Sequence, residues 1–349
     1  MTKKFNRLEE LRRYVDKNDT GIEIAPYCTP IASRRDGYNT INVDVFHTTT
    51  IRERAASDAF VDSEKMALIE EVDLVGDASE LAALTEKLRA EHQIGYIVSS
   101  HNFEHLPNPL KFLKDCSEVL KEGGVLSMAV PDFRTCFDHF RFPTRLSDWL
   151  EAYHNPLPLP APSRIFEASS VYAEYADIDD RHLAFSMDRL QPDRFDPTTN
   201  LREQYDAYLN RLNGPFDYVD SHFSAMFGET FELMVRDLIY LGELDLEVLE
   251  VSETLGHEFF VHLRKSSPSI EPDSAFFERR AALLKQVQAG LGTGAFPTVR
   301  AKQVLKLSHL SLNGIVDFRA LMRRVFGKKS FDRLRELNAN RRARRKNTG

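Results

Sequence analysis

The sequence is poor in cysteine: Cys28, Cys116 and Cys136 are an odd set of three in 349 residues, and their spacing matches neither a disulfide framework nor a zinc-ligand pattern. A reducing, cytoplasmic setting is the expectation. Long apolar runs are also missing. Residues 1–7 lead straight into charged helical sequence with no apolar core of signal-peptide type, and no later run approaches membrane-spanning length. Secretion and membrane insertion are therefore disfavoured. A net basic charge is lacking too, since the total is −7, yet the balance is uneven. Residues 296–349 carry 15 Lys and Arg against three acids, a tail of +12 on a body of −19. An acidic body argues against broad nucleic-acid contact. The basic tail suits a peripheral contact with an inner membrane surface or a partner protein, with a solvated amphipathic extension as the plainer reading.

What is present is material for one large α/β core plus appendages, with 42% hydrophobic and 28% charged residues. Phe5, Leu8, Leu11 and Val15 recur at helical spacing and predict a helix over 3–16. A strand over 21–25 follows, stopped by Pro26, and further strands are predicted at 40–45 and 72–75, both with a carboxylate at or near the end. Leu81, Leu84 and Leu88 mark a helix that Ser79 caps, before a buried strand over 94–98. Asn108 as N-cap and Pro109 in the first turn open the next helix, which Gly123-Gly124 end ahead of a strand over 125–130. This alternation predicts a parallel sheet. It breaks off over about 141–220, where Pro, Asp and aromatic residues predict an inserted cap. A helix near 229–242 and two strands, 246–251 and 258–263, then suggest an antiparallel pair closing the sheet, and only helices are predicted after residue 265. The expected architecture is a Rossmann-like, seven-stranded, mostly parallel sheet with helices on both faces. It forms a domain over 1–265 with a basic helical extension over 266–349.

Two acids matter first, because Glu23 lies in the first strand and Asp44 ends the second 21 residues later. Ligands of open α/β sheets bind at the carboxyl ends of the strands, where an acid so placed accepts hydrogen bonds from both ribose hydroxyls. An acid that merely ends a strand at the surface is the alternative. Glycine is what the first turn lacks. Ala25-Pro26-Tyr27-Cys28-Thr29-Pro30 contains none, whereas a dinucleotide site needs backbone N–H groups to approach a pyrophosphate. Two prolines remove two donors, which suits a nucleoside carrying a sulfonium and an amino-acid tail better than a phosphate. NAD is thereby disfavoured.

Residues 21–137 resemble the methyltransferase type 11 group of class I S-adenosylmethionine-dependent methyltransferases. The resemblance is carried by Ser99-Ser100-His101-Asn102-Phe103-Glu104-His105-Leu106, then Leu120-Lys121-Glu122-Gly123-Gly124-Val125-Leu126 and Ala129-Val130-Pro131-Asp132-Phe133. A fainter similarity to a subgroup associated with surface-polysaccharide biosynthesis continues through 134–141 and Tyr218-Val219-Asp220-Ser221-His222. The resemblance implies S-adenosyl-L-methionine as cofactor. It implies that Glu23 and the turn of Ala25, Pro26 and Tyr27 lie beside the methionine part, Asp44 on the ribose, Asp77 and Ala78 at the adenine, and Ser100 and His101 near the reacting methyl. The family's usual glycines are replaced here by Ala25, Tyr27 and Thr29, whose side chains crowd a turn that backbone normally brings close to the ligand.

Methyl transfer is an in-line displacement, for which the enzyme chiefly aligns the nucleophile and excludes water. A hydroxyl acceptor is helped by a base titrating near neutrality, and His101 and His222 are the candidates. Asp132, after the fifth strand, is a candidate for binding or orienting the acceptor, and His105 reads as a structural hydrogen-bonding residue. An aromatic, acidic cap suits a sugar. The expected function is O-methylation of a sugar or a polysaccharide or glycolipid intermediate, with a small-molecule or glycan acceptor. The alternatives are an inactive methyltransferase-like module that binds a partner through its tail, or an RNA or protein methyltransferase guided by that tail.

Overall fold

The computed structural model describes residues 5–58, 60–157, 160–176, 181–182, 184–187, 191, 194–216, 219–267 and 271–292. The basic tail over 296–349 and its predicted helices lie outside the described residues. The strands, in chain order, are β1 (Thr20–Ile24), β2 (Asn39–Asp44), β3 (Leu74–Val75), β4 (Ile94–Ser100), β5 (Leu120–Pro131), β6 (Ala173–Ala176), β7 (Arg181–His182), β8 (Phe195–Pro197), β9 (Leu246–Val251) and β10 (Glu258–Lys265). The helices are α1 (Arg7–Leu11), α2 (Thr48–Ala56), α3 (Ser63–Met66), α4 (Leu81–Leu84), α5 (Glu86–Glu91), α6 (Pro109–Val119), α7 (Leu146–His154), α8 (Pro162–Ser170), α9 (Leu201–Asn213), α10 (Gly228–Tyr240) and α11 (Asp273–Gly292).

Seven strands form one sheet in the order β3-β2-β1-β4-β5-β10-β9. β1 to β5 run parallel, and β10 is antiparallel to both β5 and β9. Side chains alternate cleanly between its faces, as the two-residue period of a strand requires. Ile97, Leu126, Met128, Val130, Phe259 and Val261 enter the larger core with residues of α6, α7 and α10, while Tyr96, Val98, Ala129 and Phe260 meet Leu11 of α1 on the other side. The predicted architecture, with helices against both faces, is therefore what the chain builds.

Three local expectations change. α1 spans only Arg7–Leu11, because the Asn6 side chain accepts from the N–H groups of Leu8 and Glu9 and so starts the helix there. Gly123 and Gly124 do not end α6, which stops at Val119; they lie inside β5. Gly123 has φ +79°, and a Cβ on Gly124 would stand 2.9 Å from the Lys121 carbonyl oxygen, so the pair allows a bend beside Gly95 where the pairing with β4 shifts register. The helix expected to begin a separate extension, α11, instead packs on α10. Phe276 stacks on Tyr240 at 3.8 Å between centroids and Arg280 pairs with Asp237 at 2.8 Å, and the first compact unit runs to Gly294.

The inserted segment forms α7, α8, the small antiparallel sheet β7-β6-β8, and α9. Its aromatic residues largely pack on one another: Tyr175 stacks on Phe185 at 4.0 Å and His139 on Phe195 at 3.8 Å. Among the described residues no helix is long and apolar enough to cross a membrane.

Phe103 ties the loop after β4 to three helices, meeting Trp149 and Phe231 edge-on at 5.4 Å and Phe112 at 5.9 Å. Phe103→Ala is expected to destabilise the fold by about 3–5 kcal/mol in urea denaturation. Phe142→Ala, at a residue 85% exposed, should stay within about 0.5 kcal/mol of the parent. Equal effects would refute this role for Phe103.

Candidate functional site

β1 and β4 are neighbours in the sheet, with β2 and β5 on their outer sides, so the chains leaving their carboxyl ends diverge and open a crevice there. Among the described residues, the non-glycine positions with left-handed backbone are Ala25 (φ 50°), Tyr27 (φ 45°) and His101 (φ 49°), all on these two chain exits. Each costs about 1–2 kcal/mol for an L-residue, a strain that collects at binding sites. The turn without glycine thus keeps, at two of its three replaced positions, the backbone that glycine would adopt freely.

Buried Glu23 holds this turn, its carboxylate accepting from the N–H groups of Ile31 at 2.5 Å and Ala32 at 2.8 Å. Burial pushes its pKa up to about 7, against the effect of those bonds. The Tyr27 ring packs against the Cys28, Ile51 and Ala55 cluster and its hydroxyl donates to Asp58 at 3.2 Å, so α2 takes up the crowding expected of that side chain. Pro26 is buried in the same turn. Asp44 ends β2 with Oδ1 accepting from Phe46 N–H at 2.9 Å, and burial raises its pKa. Beyond β3, Asp77 accepts from Ser79 N–H at 2.7 Å and Ala78 packs into the larger core. A left-handed turn at β1 and carboxylates after β2 and β3 fit a nucleoside with an amino-acid tail.

A second group sits at the end of β4. Arg7 grips Glu258 through Nε to Oε1 at 2.6 Å and Nη2 to Oε2 at 2.9 Å, and Nη2 also donates to Ser100 Oγ at 2.5 Å. His101 Nε2 lies 2.9 Å from Glu258 Oε2. Burial works to raise the Glu258 pKa, but the bonds from His101 and Arg7 outweigh it and hold the group down at about 2. A charged Glu258 keeps the proton of His101 on Nε2 and leaves Nδ1 as a lone pair. Neither Arg7 nor Glu258 stood out in the sequence, for they lie 251 residues apart.

The loop after β4 also receives His222. Phe223 and Ser224 N–H donate to the Glu104 carbonyl at 2.7 and 3.1 Å, which brings the returning limb of the cap to this edge. His222 Nδ1 meets Asp138 Oδ2 at 2.5 Å, and His105 Nδ1 meets Asp220 Oδ1 at 2.9 Å. Despite its burial, Asp138 is held below the usual carboxylate range by His222 and Arg141. Burial would lower the His105 pKa, but Asp220 and Glu104 raise it. His101, His105 and His222 therefore gather around Glu104, which in the sequence is one residue of the stretch from Ser99 to Leu106.

Asp132 behaves differently from expectation. It is fully buried, its carboxylate receiving the N–H and guanidinium of Arg134 and the Thr254 hydroxyl, while its own N–H donates to His257 carbonyl. Enclosed in this way it anchors the β5 exit to the turn before β10 and presents no free carboxylate to an acceptor. A cavity of about 610 Å³ opens instead beside Leu106, Trp149, Arg164 and Phe223. None of Ala25, Asp44 or Asp77 lines it, so it is not the nucleoside's place; it borders the segments that carry His105 and His222.

Two outcomes follow from this geometry. Ala25→Gly removes the left-handed penalty of about 1–2 kcal/mol at an entropic cost of about 0.5–1 kcal/mol, so denaturation should show a gain of up to about 1.5 kcal/mol; a loss would refute the strain. Glu258 has a folded pKa below its ordinary 4.5, so its contribution is complete above about pH 5 and is lost as pH falls toward 2. Glu258→Gln should accordingly cost at most about 3 kcal/mol near neutrality, with the gap to the parent closing in acid; a gap independent of pH would contradict the ion pair.

Residues 7–128, just over a third of the chain, match the family model described as a methyltransferase domain. No curated protein matches the chain. Among solved structures it is similar to an S-adenosylmethionine-dependent methyltransferase from Methanosarcina mazei, at 14% identity over 74% of this chain and 97% of that one with a TM-score of 0.34. The PH0226 protein from Pyrococcus horikoshii OT3 is 14% identical over 74% and 90% of the two chains, TM-score 0.36. The CcbJ methyltransferase from Streptomyces caelestis is 13% identical over 74% and 90%, TM-score 0.38. These weak likenesses carry no argument of their own, and the fold rests on the strand order above. The match over residues 7–128 gives the protein a methyltransferase domain, and with it an enzyme whose cofactor is S-adenosylmethionine.

Proposed function

We propose that the protein methylates a hydroxyl of a sugar or glycolipid-type acceptor, with His101 as general base. The observation that carries this reading is the setting of His101: Nε2 is fixed on a charged Glu258, and Nδ1 of the partly exposed ring stands 3.7 Å from Glu104 without a hydrogen bond. S-adenosylmethionine supplies an electrophilic methyl group and a good leaving group. Ala25, Pro26 and Tyr27 give the turn that receives its amino-acid tail, Glu23 keeps that turn in place, and Asp44 accepts from the ribose hydroxyls. Asp77 and Ala78 border the adenine, and Ser100, fixed by Arg7, shapes the wall beside the methyl. The neighbouring cavity supports a polyhydroxylated acceptor, since Trp149 and Leu106 offer an apolar floor and Arg145, Asp148, Arg164 and Glu167 surround it with hydrogen-bonding groups. His222 is enclosed, with one nitrogen on Asp138, and acts by positioning.

Calorimetric titration with S-adenosylmethionine and its demethylated product should show binding that Asp44→Ala weakens at least about tenfold. His101→Gln should keep that binding and slow labelled methyl transfer to sugar and glycolipid extracts by about 10²–10⁴. Absence of cofactor binding by the parent, or transfer to amines in place of hydroxyls, would overturn the reading.

A further inference from the structure

Glu104 is the least explained charge in the molecule. It is 1% exposed, and neither carboxylate oxygen has a hydrogen-bond partner. An ionised carboxylate buried in that way is costly unless something positive or donating meets it. Its Oε1 faces His101 Nδ1 and His105 Nε2 at 3.7 Å and His222 Nε2 at 3.9 Å, too far for hydrogen bonds. The other nitrogen of each of the last two imidazoles faces a carboxylate: His222 Nδ1 is hydrogen-bonded to Asp138, and His105 Nδ1 stands 2.9 Å from Asp220 as an ion pair outside hydrogen-bond geometry. Asp138 favours the His222 tautomer with the proton on Nδ1, so His222 Nε2 turns a lone pair toward Glu104. A lone pair facing a buried carboxylate is repelled unless a proton or a metal cation stands between them.

We propose that Glu104, His105 and His222 bind one first-row divalent cation of the zinc class. Their donor atoms all lie within 4.8 Å of one another. A tetrahedral site with metal–ligand bonds of about 2.0–2.1 Å has donor–donor edges of about 3.4 Å, so the two Glu104–histidine edges of 3.7 and 3.9 Å shorten by a few tenths of an ångström while the histidine–histidine edge closes from within 4.8 Å. A histidine ligand whose far nitrogen donates to a carboxylate is the arrangement that fixes ring orientation and raises ligand basicity in metal sites; His222 with Asp138 supplies it, and Asp220 stands 2.9 Å from His105 Nδ1. Two neighbouring clusters compete less well. In the group of His101, His257 and Glu258, the carboxylate already carries the Arg7 guanidinium. In the group of Cys136, Asp138 and His222, Asp138 is taken up by Arg141 and by His222 itself. Cysteine spacing could not reveal this site, because its ligands come from the loop after β4 and from the far limb of the cap. Its use in catalysis, which rests on the methyl-transfer reading above, is to take the acceptor oxygen at a remaining coordination position and favour loss of its proton beside His101.

The test is a titration of chelator-treated full-length protein with Co²⁺ and then Zn²⁺, each alone, read by visible absorption and calorimetry. One equivalent of Co²⁺ should bind with d–d bands of a low-coordinate site and be displaced by Zn²⁺. Glu104→Gln and His105→Gln should abolish those bands, Asp220→Asn should weaken binding about 10–100-fold, and His257→Gln should leave it unchanged. Circular dichroism checks that the variants fold. Asp220 is exposed, so Asp220→Asn and His105→Gln carry the test even where the buried Glu104→Gln does not fold. No binding by the folded parent, or binding indifferent to His105→Gln and Asp220→Asn, overturns the proposal. S-adenosylmethionine binding measured on the same samples keeps the two readings apart: its retention without cation binding refutes the metal site only.

Discussion

The bidentate ion pair between Arg7 and Glu258 is the contact on which the site depends. It joins the first described helix to the first residue of β10 across the mouth of β4, and the same carboxylate takes the proton-bearing nitrogen of His101. A charge this deep is tolerated only because it is paired and hydrogen-bonded on both oxygens. Once it is in place, the tautomer of His101, the seat of Ser100 and the closure of the antiparallel edge over the parallel sheet are settled together.

Backbone strain has the same address. Three L-residues hold left-handed conformations where β1 and β4 release the chain, and the surrounding contacts over-determine them: Glu23 pins Ile31 and Ala32, α2 packs on Tyr27, and the His101 N–H is bonded to the Ala129 carbonyl. Ala25 and Tyr27 therefore hold a left-handed turn without glycine. The absence of glycine moves part of the cost of that shape from the unfolded chain to the folded one.

Much of the fold was legible in the sequence because its signals are local. Period-two apolar runs marked the strands, and Asn108 with Pro109 marked the start of α6, where the Asn108 side chain does accept from Lys111 N–H. The carboxylates at 23 and 44 were read from strand position. Gly123-Gly124 misled because a helix stop and a strand bend use the same residue for the same conformational freedom. Asp132 misled because nothing local says that Arg134 and Thr254 will enclose it. Arg7, Glu258 and Glu104 were not legible as site residues at all. Their meaning lies in partners brought near by the strand order, and a buried, unpaired carboxylate looks in sequence like any other glutamate before a histidine.

The backbone bonds from Phe223 and Ser224 to the Glu104 carbonyl have a consequence for how this molecule can diversify. They graft the end of the cap onto the loop after β4 by main-chain contacts, which are indifferent to side-chain identity. Substitutions on the outer face of α9 and the small sheet therefore leave these bonds, and with them the place of His222 beside the loop after β4, untouched.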